Sequence, residues 1–340
     1  MAAVSPFPLS RRVVLAIVAI ISLIAASPIV VARPIPASAG ANAGRAAARL
    51  ADQPPPGLRR SAEASAQAEA PAARGRQPSG AHRVVSIIPA TTEMLFAMGA
   101  GDRVVAVGSY DRFPPEVDAL PRVGALLDPN IERILSLRPD LVVLYGTQTD
   151  LRTQMERAGV PCYAYLHRGL PDITQTIRSL GARVGVDAAA TALAARIERQ
   201  LDDIRTRVAR SGRPKTLLVF GREPGTLRNI DASGGVGFLH DMLEAAGGAD
   251  VLGDTTQQSV MMSTELVLAR APEVIIELRY ARGDTTAASD LKAWDALPSV
   301  PAVRHHRVFM LQGEEFVVPG PRVAAATERI ARTLHPELLK

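Results

Sequence analysis

From Arg83 onward the chain alternates short, nearly uncharged runs rich in Val, Ile and Leu with stretches whose apolar residues recur every three or four positions. The runs have the length and composition of strands buried on both faces, and the longer stretches have helical period. Strands are predicted over 83–88 (RVVSII), 103–107, 140–145 (DLVVLY) and 162–166, then over 215–220 (KTLLVF), 273–278 (EVIIEL) and 307–311. Helices are predicted over 91–99, 131–138, 150–158, 172–184, 236–246, 264–270, 287–294 and 322–334. Such alternation builds mostly parallel sheets covered by helices. Between the two sets, Leu193, Ile197, Leu201, Ile204 and Val208 draw one apolar stripe along an otherwise charged segment. Asp187 is placed to cap this helix, which over 187–211 would span about 36 Å. The fold expected is α/β, with two Rossmann-like lobes joined by one long rigid helix and a ligand cleft between them.

One sentence is written twice. Asn130 to Val143 reads NIERILSLRPDLVV, and Ser263 to Ile276 reads STELVLARAPEVII. In each copy a residue able to cap a helix comes first, apolar residues follow, and Pro139 or Pro272 ends the helix before an acid and a buried strand. This period accounts for the helix and strand but does not require Glu132 and Glu265 in third place. A carboxylate there complements the helix N-terminus, and one exposed carboxylate per lobe also suits a two-fold partner offering two arginines.

The N-terminal third changes the picture. Arg11 and Arg12 precede an uncharged run from Val13 to Ala32, which reads as an export signal (1–32), cleaved after Ala37-Ser38-Ala39 or retained as an anchor. Residues 33–82 are Ala-, Pro- and Arg-rich with few large apolar side chains, so a disordered linker is expected. The remaining boundaries are a first lobe at 83–186, the linking helix at 187–211, a second lobe at 212–320, and a C-terminal helix at 321–340 packing back on the lobes. The formal charge of +5 belongs to the leader and linker: residues 1–82 hold nine Arg and three acids (+6), leaving −1 for the rest. With neither a basic nor an aromatic-interleaved face, no nucleic-acid partner is expected. A single cysteine, Cys162, allows no internal disulfide.

Enzyme readings find little support. The GAGDRV stretch at Gly99 and SGGVG at Ser233 lack dinucleotide-loop spacing, no HExxH joins any of the six histidines, and no GxSxG is present. No cofactor and no resident metal are expected.

Taken together, RVVSIIPATTEMLFAMGAGDRVVAVGSYDRFP, PRVGALLDPNIERILSLRPDLVV, the long helix and STELVLARAPEVIIE resemble the helix-linked (class III) periplasmic substrate-binding proteins of ABC importers, most closely the vitamin B12-binding members. The resemblance covers 83–334. It implies a monomer that captures a corrinoid, or alternatively haem or a ferric siderophore, and delivers it to a dimeric permease through Glu132 and Glu265. It implies a ligand site drawn from Tyr110, Tyr145, Met261, Met262, Glu315, Phe316 and Arg322, with Tyr110, Tyr145 and His167 as the donors available to a haem iron. The single tryptophan, Trp294, falls on a peripheral helix, and Arg112, Arg222, Arg279 and Arg322 are the arginines open to an anionic chelate. The rival of another class is a membrane-tethered sensor or scaffold that uses the same fold.

Overall fold

The computed structural model describes residues 80–280 and 290–338. The expected leader, and all of the expected linker but its last three residues, lie outside them. Those last residues already belong to the first lobe, because Ala81 N–H donates to Arg183 O at 3.0 Å and His82 N–H to the Asp140 carboxylate at 2.8 Å. No helix among the described residues is long and apolar enough to cross a membrane.

The first lobe is a four-stranded parallel sheet of β1 (Val84–Ser86), β2 (Val104–Val107), β3 (Leu141–Tyr145) and β4 (Cys162–Tyr165), in the order β2-β1-β3-β4. Its helices are α1 (Pro89–Ala97), α2 (Ile131–Ser136), α3 (Thr149–Arg157) and α4 (Leu170–Arg183). Every residue of β1 and β3 is buried, which is why these strands read as unbroken apolar runs.

The linking helix α5 spans Asp187–Val208, 22 residues or about 33 Å. It ends three residues short of the expected boundary. Asp187 is not its cap: Val186 holds that position without a side-chain bond, and Asp187 stands in the first turn, beside the positive end of the helix dipole. The five stripe residues are all buried.

The second lobe carries β5 (Lys215–Gly221), β6 (Ile230–Ser233), β7 (Ala249–Asp250), β8 (Ser259–Met262), β9 (Val274–Arg279) and β10 (Val308–Gln312). The sheet order is β10-β9-β5-β6-β8, with β7 against the start of β5; β10, β9 and β5 are parallel and β6 and β8 antiparallel additions. Its helices are α6 (Phe238–Ala245), α7 (Thr264–Arg270), α8 (Pro301–Arg304) and α9 (Val323–Leu334). Of the helix expected over 287–294, residues 287–289 lie outside the described residues; the rest is not an α-helix, because Leu291–Ala296 forms a 3-10 helix. Trp294 is not peripheral. It is buried, and its Nε1–H donates to Glu277 Oε1 at 2.6 Å.

One apolar core runs without a break from the first sheet through α4, α5, α6 and α9 to one face of the second sheet, and a smaller cluster around Trp294 covers the other face. Gly181 of α4 lets α5 approach closely, because a Cβ there would stand 2.2 Å from that of Ala190.

Candidate ligand cleft and paired surface carboxylates

The repeated sentence folds the same way twice. Asn130 Oδ1 accepts from Arg133 N–H at 2.9 Å to open α2, and Ser263 Oγ accepts from Leu266 N–H at 3.3 Å to open α7. Both helices stop at a non-glycine residue with positive φ, Arg138 (48°) and Ala271 (47°), each followed by a proline that disfavours continued helix. The next acid then reaches back to the first strand of its lobe. Asp140 accepts from Arg83 N–H at 2.8 Å and Glu273 from Lys215 N–H at 2.9 Å. Those acids are therefore occupied by the fold, whereas Glu132 and Glu265 point into solvent. The Ser263 hydroxyl and the backbone at the helix start hold the Glu265 carboxyl below its usual range, so it is charged at neutral pH.

The cleft forms where the strands of both sheets end. From the first lobe come Ile87 after β1, Pro89 and Ala90 opening α1, Tyr110 after β2, Leu126, Tyr145 ending β3 and His167 after β4. From the second come Phe238 opening α6, Tyr280 after β9, and Val317, Val318 and Pro319 after β10. The space among them, counted out into open solvent, is about 670 Å³. Carboxyl ends of strands are where open α/β sheets hold ligands.

An aromatic series crosses from one lobe to the other. The rings of Tyr145 and Tyr165 are 6.0 Å apart, Tyr165 stacks on His167 at 5.5 Å, and His167 meets the edge of Phe238 at 5.9 Å. Burial pushes the His167 imidazole down to about 4, and its Nδ1 has no hydrogen-bond partner among the described residues. Burial raises the Tyr145 phenol and takes that of Tyr280 up to about 12. The walls thus offer flat apolar faces with neutral nitrogen and oxygen donors.

Beside this floor lies Asp111, 1% exposed, with neither carboxylate oxygen hydrogen-bonded among the described residues. Burial pushes its carboxyl up to about 7 against the opposing charge of Arg122.

Of the residues expected at the ligand, Tyr110 and Tyr145 line the cleft, and the other five do not. Met261 and Met262 sit on the edge strand β8, where alternation turns Met262 into the smaller core and leaves Met261 68% exposed. Phe316 is fully buried under the Arg329 guanidinium, and Glu315 pairs with Arg329. Arg322 is consumed by Glu93, which its Nε and Nη2 meet at 2.9 and 2.5 Å. Arg222 and Arg279 are likewise spent. Arg222, with no exposed side-chain surface, donates to Glu277 at 2.6 Å and Asp290 at 3.1 Å, and Arg279 joins the same two carboxylates. Tyr280 and Phe238 were missed by the sequence reading; Tyr280 follows β9 just as Tyr110 follows β2, so the same rule finds it.

Residues 84–315 match the family described as "Periplasmic binding protein". The chain is 27% identical over 257 residues to the vitamin B12-binding protein of Yersinia pestis, covering 75% of this chain and 86% of that one. Among solved structures, the periplasmic vitamin B12-binding protein of Vibrio cholerae superposes with a TM-score of 0.65 at 25% identity, over 75% of this chain and 97% of that chain. The periplasmic heme-binding protein of Roseiflexus sp. RS-1, in apo form, gives 0.63 at 26% identity over 76% and 99%. A match spanning most of both lobes and the helix between them assigns the chain: it belongs to the periplasmic binding protein family of ABC-transporter substrate-binding proteins, a family of binders rather than enzymes.

Proposed function

We propose that the protein captures a flat metal-centred macrocycle, a corrinoid, between its lobes outside the cytoplasmic membrane and hands it to a dimeric ABC permease that docks on Glu132 and Glu265. The observation that carries this reading is the aromatic cleft. Tyr110, Tyr145 and Tyr280 join Phe238 and His167 in presenting rigid flat surfaces, which bind a macrocycle with little ordering cost. Vitamin B12-binding proteins among its relatives favour the corrinoid. An anionic ferric siderophore is disfavoured, because three of the four candidate arginines, Arg222, Arg279 and Arg322, are already paired with carboxylates, and only Arg112 is left to meet the chelate's charge.

A second reading, haem, is favoured by one observation. His167 is a buried, neutral imidazole with an unpartnered nitrogen in the cleft, a suitable axial donor to iron. Calorimetric titration of residues 80–340 with cyanocobalamin, then with haemin, separates the two. One-to-one binding of cyanocobalamin at sub-micromolar Kd supports the corrinoid. Binding of haemin alone, with a Soret band that shifts in His167→Ala, moves the assignment to haem. Heat from neither at tens of micromolar sinks the macrocycle reading.

A further inference from the structure

The segment between β10 and α9 belongs to the second lobe by chain order, yet it is fastened to the first. Val317, Val318 and Pro319 of this segment form one wall of the cleft. Three contacts hold it. Arg322 meets both oxygens of Glu93 in a two-pronged pair, at 2.9 and 2.5 Å. Its guanidinium carbon lies 4.2 Å from the centre of the Phe113 ring. Tyr165 Oη–H donates to Pro319 O at 3.5 Å. Glu93, 4% exposed, lies on α1 one turn behind Pro89 and Ala90, which line the cleft from the first lobe. The pair therefore ties one wall directly to another. Elsewhere the lobes touch through neutral or singly charged contacts, as where Asp241 accepts from Leu170 N–H at 2.9 Å. Among the described residues, Glu93–Arg322 is the one ion pair that joins the two lobes directly.

We propose that Glu93 and Arg322 form an interlobe clasp that fixes the aperture of the unliganded cleft, with Arg322 a positioning residue for the 317–319 wall rather than a contact of the ligand. Two features beyond distance support this. Gly320 brings the backbone so near that an added Cβ would stand 3.1 Å from Glu93 Oε2, so the segment is built to lie against this carboxylate. Arg322 also faces Glu314 and Glu315, at 3.8 and 3.5 Å, and is thus one cation among three carboxylates. Removing it leaves a buried Glu93 without a counter-charge and opposite two like charges, which drives the walls apart. Removing the charge of Glu93 alone leaves Arg322 two other partners. The two substitutions should therefore differ in size.

The clasp holds whichever chelate the cleft accepts, so its primary test needs no ligand. In full-length protein carrying Cys162→Ser, spin labels at the exposed positions Thr153 and Ala269 report the separation of the lobes by electron–electron double resonance. Arg322→Gln should give a longer and broader distance distribution, and Glu93→Gln and Arg322→Lys smaller shifts in the same direction. If cyanocobalamin or haemin binds, Arg322→Gln should release it about tenfold faster, equivalent to roughly 1.4 kcal/mol. Parental distances in a folded Arg322→Gln protein would overturn the clasp, as would lost affinity with unchanged distances, which would mark Arg322 as a ligand contact. Should Arg322→Gln fail to fold, the near-isosteric Glu93→Gln decides alone: longer distances support the clasp and unchanged ones refute it.

Discussion

Asp111 and His167 are both buried beside the cleft and both neutral near pH 6, for opposite reasons. Burial raises the Asp111 carboxyl from 3.8 to about 7 and lowers the His167 imidazole from 6.5 to about 4. Between pH 4 and 7 the folded state holds a proton on Asp111 that the unfolded chain has released, so this group's share of stability is full below pH 4 and lost as pH rises through 7. His167 does the reverse, and its share is full above pH 6.5 and lost as pH falls toward 4. The two slopes oppose each other, so the contributions of these two groups nearly cancel over that window. Asp111→Asn removes one slope. It should match the parent at pH 4 and exceed it at pH 8 by on the order of 2–4 kcal/mol, at 1.36 kcal/mol per pKa unit. Urea melts at the two pH values test this, and a gap that is the same at both would show that burial of an ionisable Asp111 is not the cause.

At the scale of elements, Gly181 sets two terms against each other. Alanine at a helix interior is better than glycine by about 1 kcal/mol. Here its Cβ would lie 2.2 Å from that of Ala190, and relieving such overpacking costs about 1–3 kcal/mol, toward the upper end at so short a distance. Gly181→Ala should therefore lower the urea midpoint, and Gly181→Ala/Ala190→Gly should recover most of the loss; a stabilised single variant would mean that α4 and α5 separate freely. What the chain reveals in advance follows similar local logic. The buried strands and the stripe of α5 were legible because period alone defines them. The place of Tyr110 and Tyr145 in the cleft lining was legible because residues after parallel strands gather at the carboxyl-end crevice of the sheet. Short β6 and β7 were not, since IDAS and AD carry too few apolar residues to stand out, and β8, SVMM, is too short to show a period. Met261 and Met262 misled because adjacent strand residues point to opposite faces. Arg322 misled because its partner, Glu93, is 229 positions away and no local pattern links them.

At the scale of the whole molecule, the core passes continuously from lobe to lobe through α4, α5, α6 and α9, so the lobes are not two bodies on a loose hinge. On the proposed reading, recognition by a permease would rest on fixed surface features more than on a large closure. Glu132 and Glu265 suit that task by position. The start of α2 is tied to the end of β2, where Asn130 N–H donates to Val123 O and Val123 N–H to Val107 O. The start of α7 follows Met262, paired with Ile230 near the end of β5. Both carboxylates therefore stand at the strand-end pole that also bears the cleft, one per lobe, and both are exposed. Arginines of a two-fold partner approaching that pole would meet them together as charge-assisted pairs, over the mouth from which the ligand leaves. Glu132→Ala/Glu265→Ala should abolish uptake by cells that carry the cognate permease. Ligand affinity in calorimetry should be unchanged, since neither residue lines the cleft, and each single variant should retain part of the uptake. Full uptake in the double variant would remove these carboxylates from the docking face, and weakened affinity would place them in the ligand's site instead.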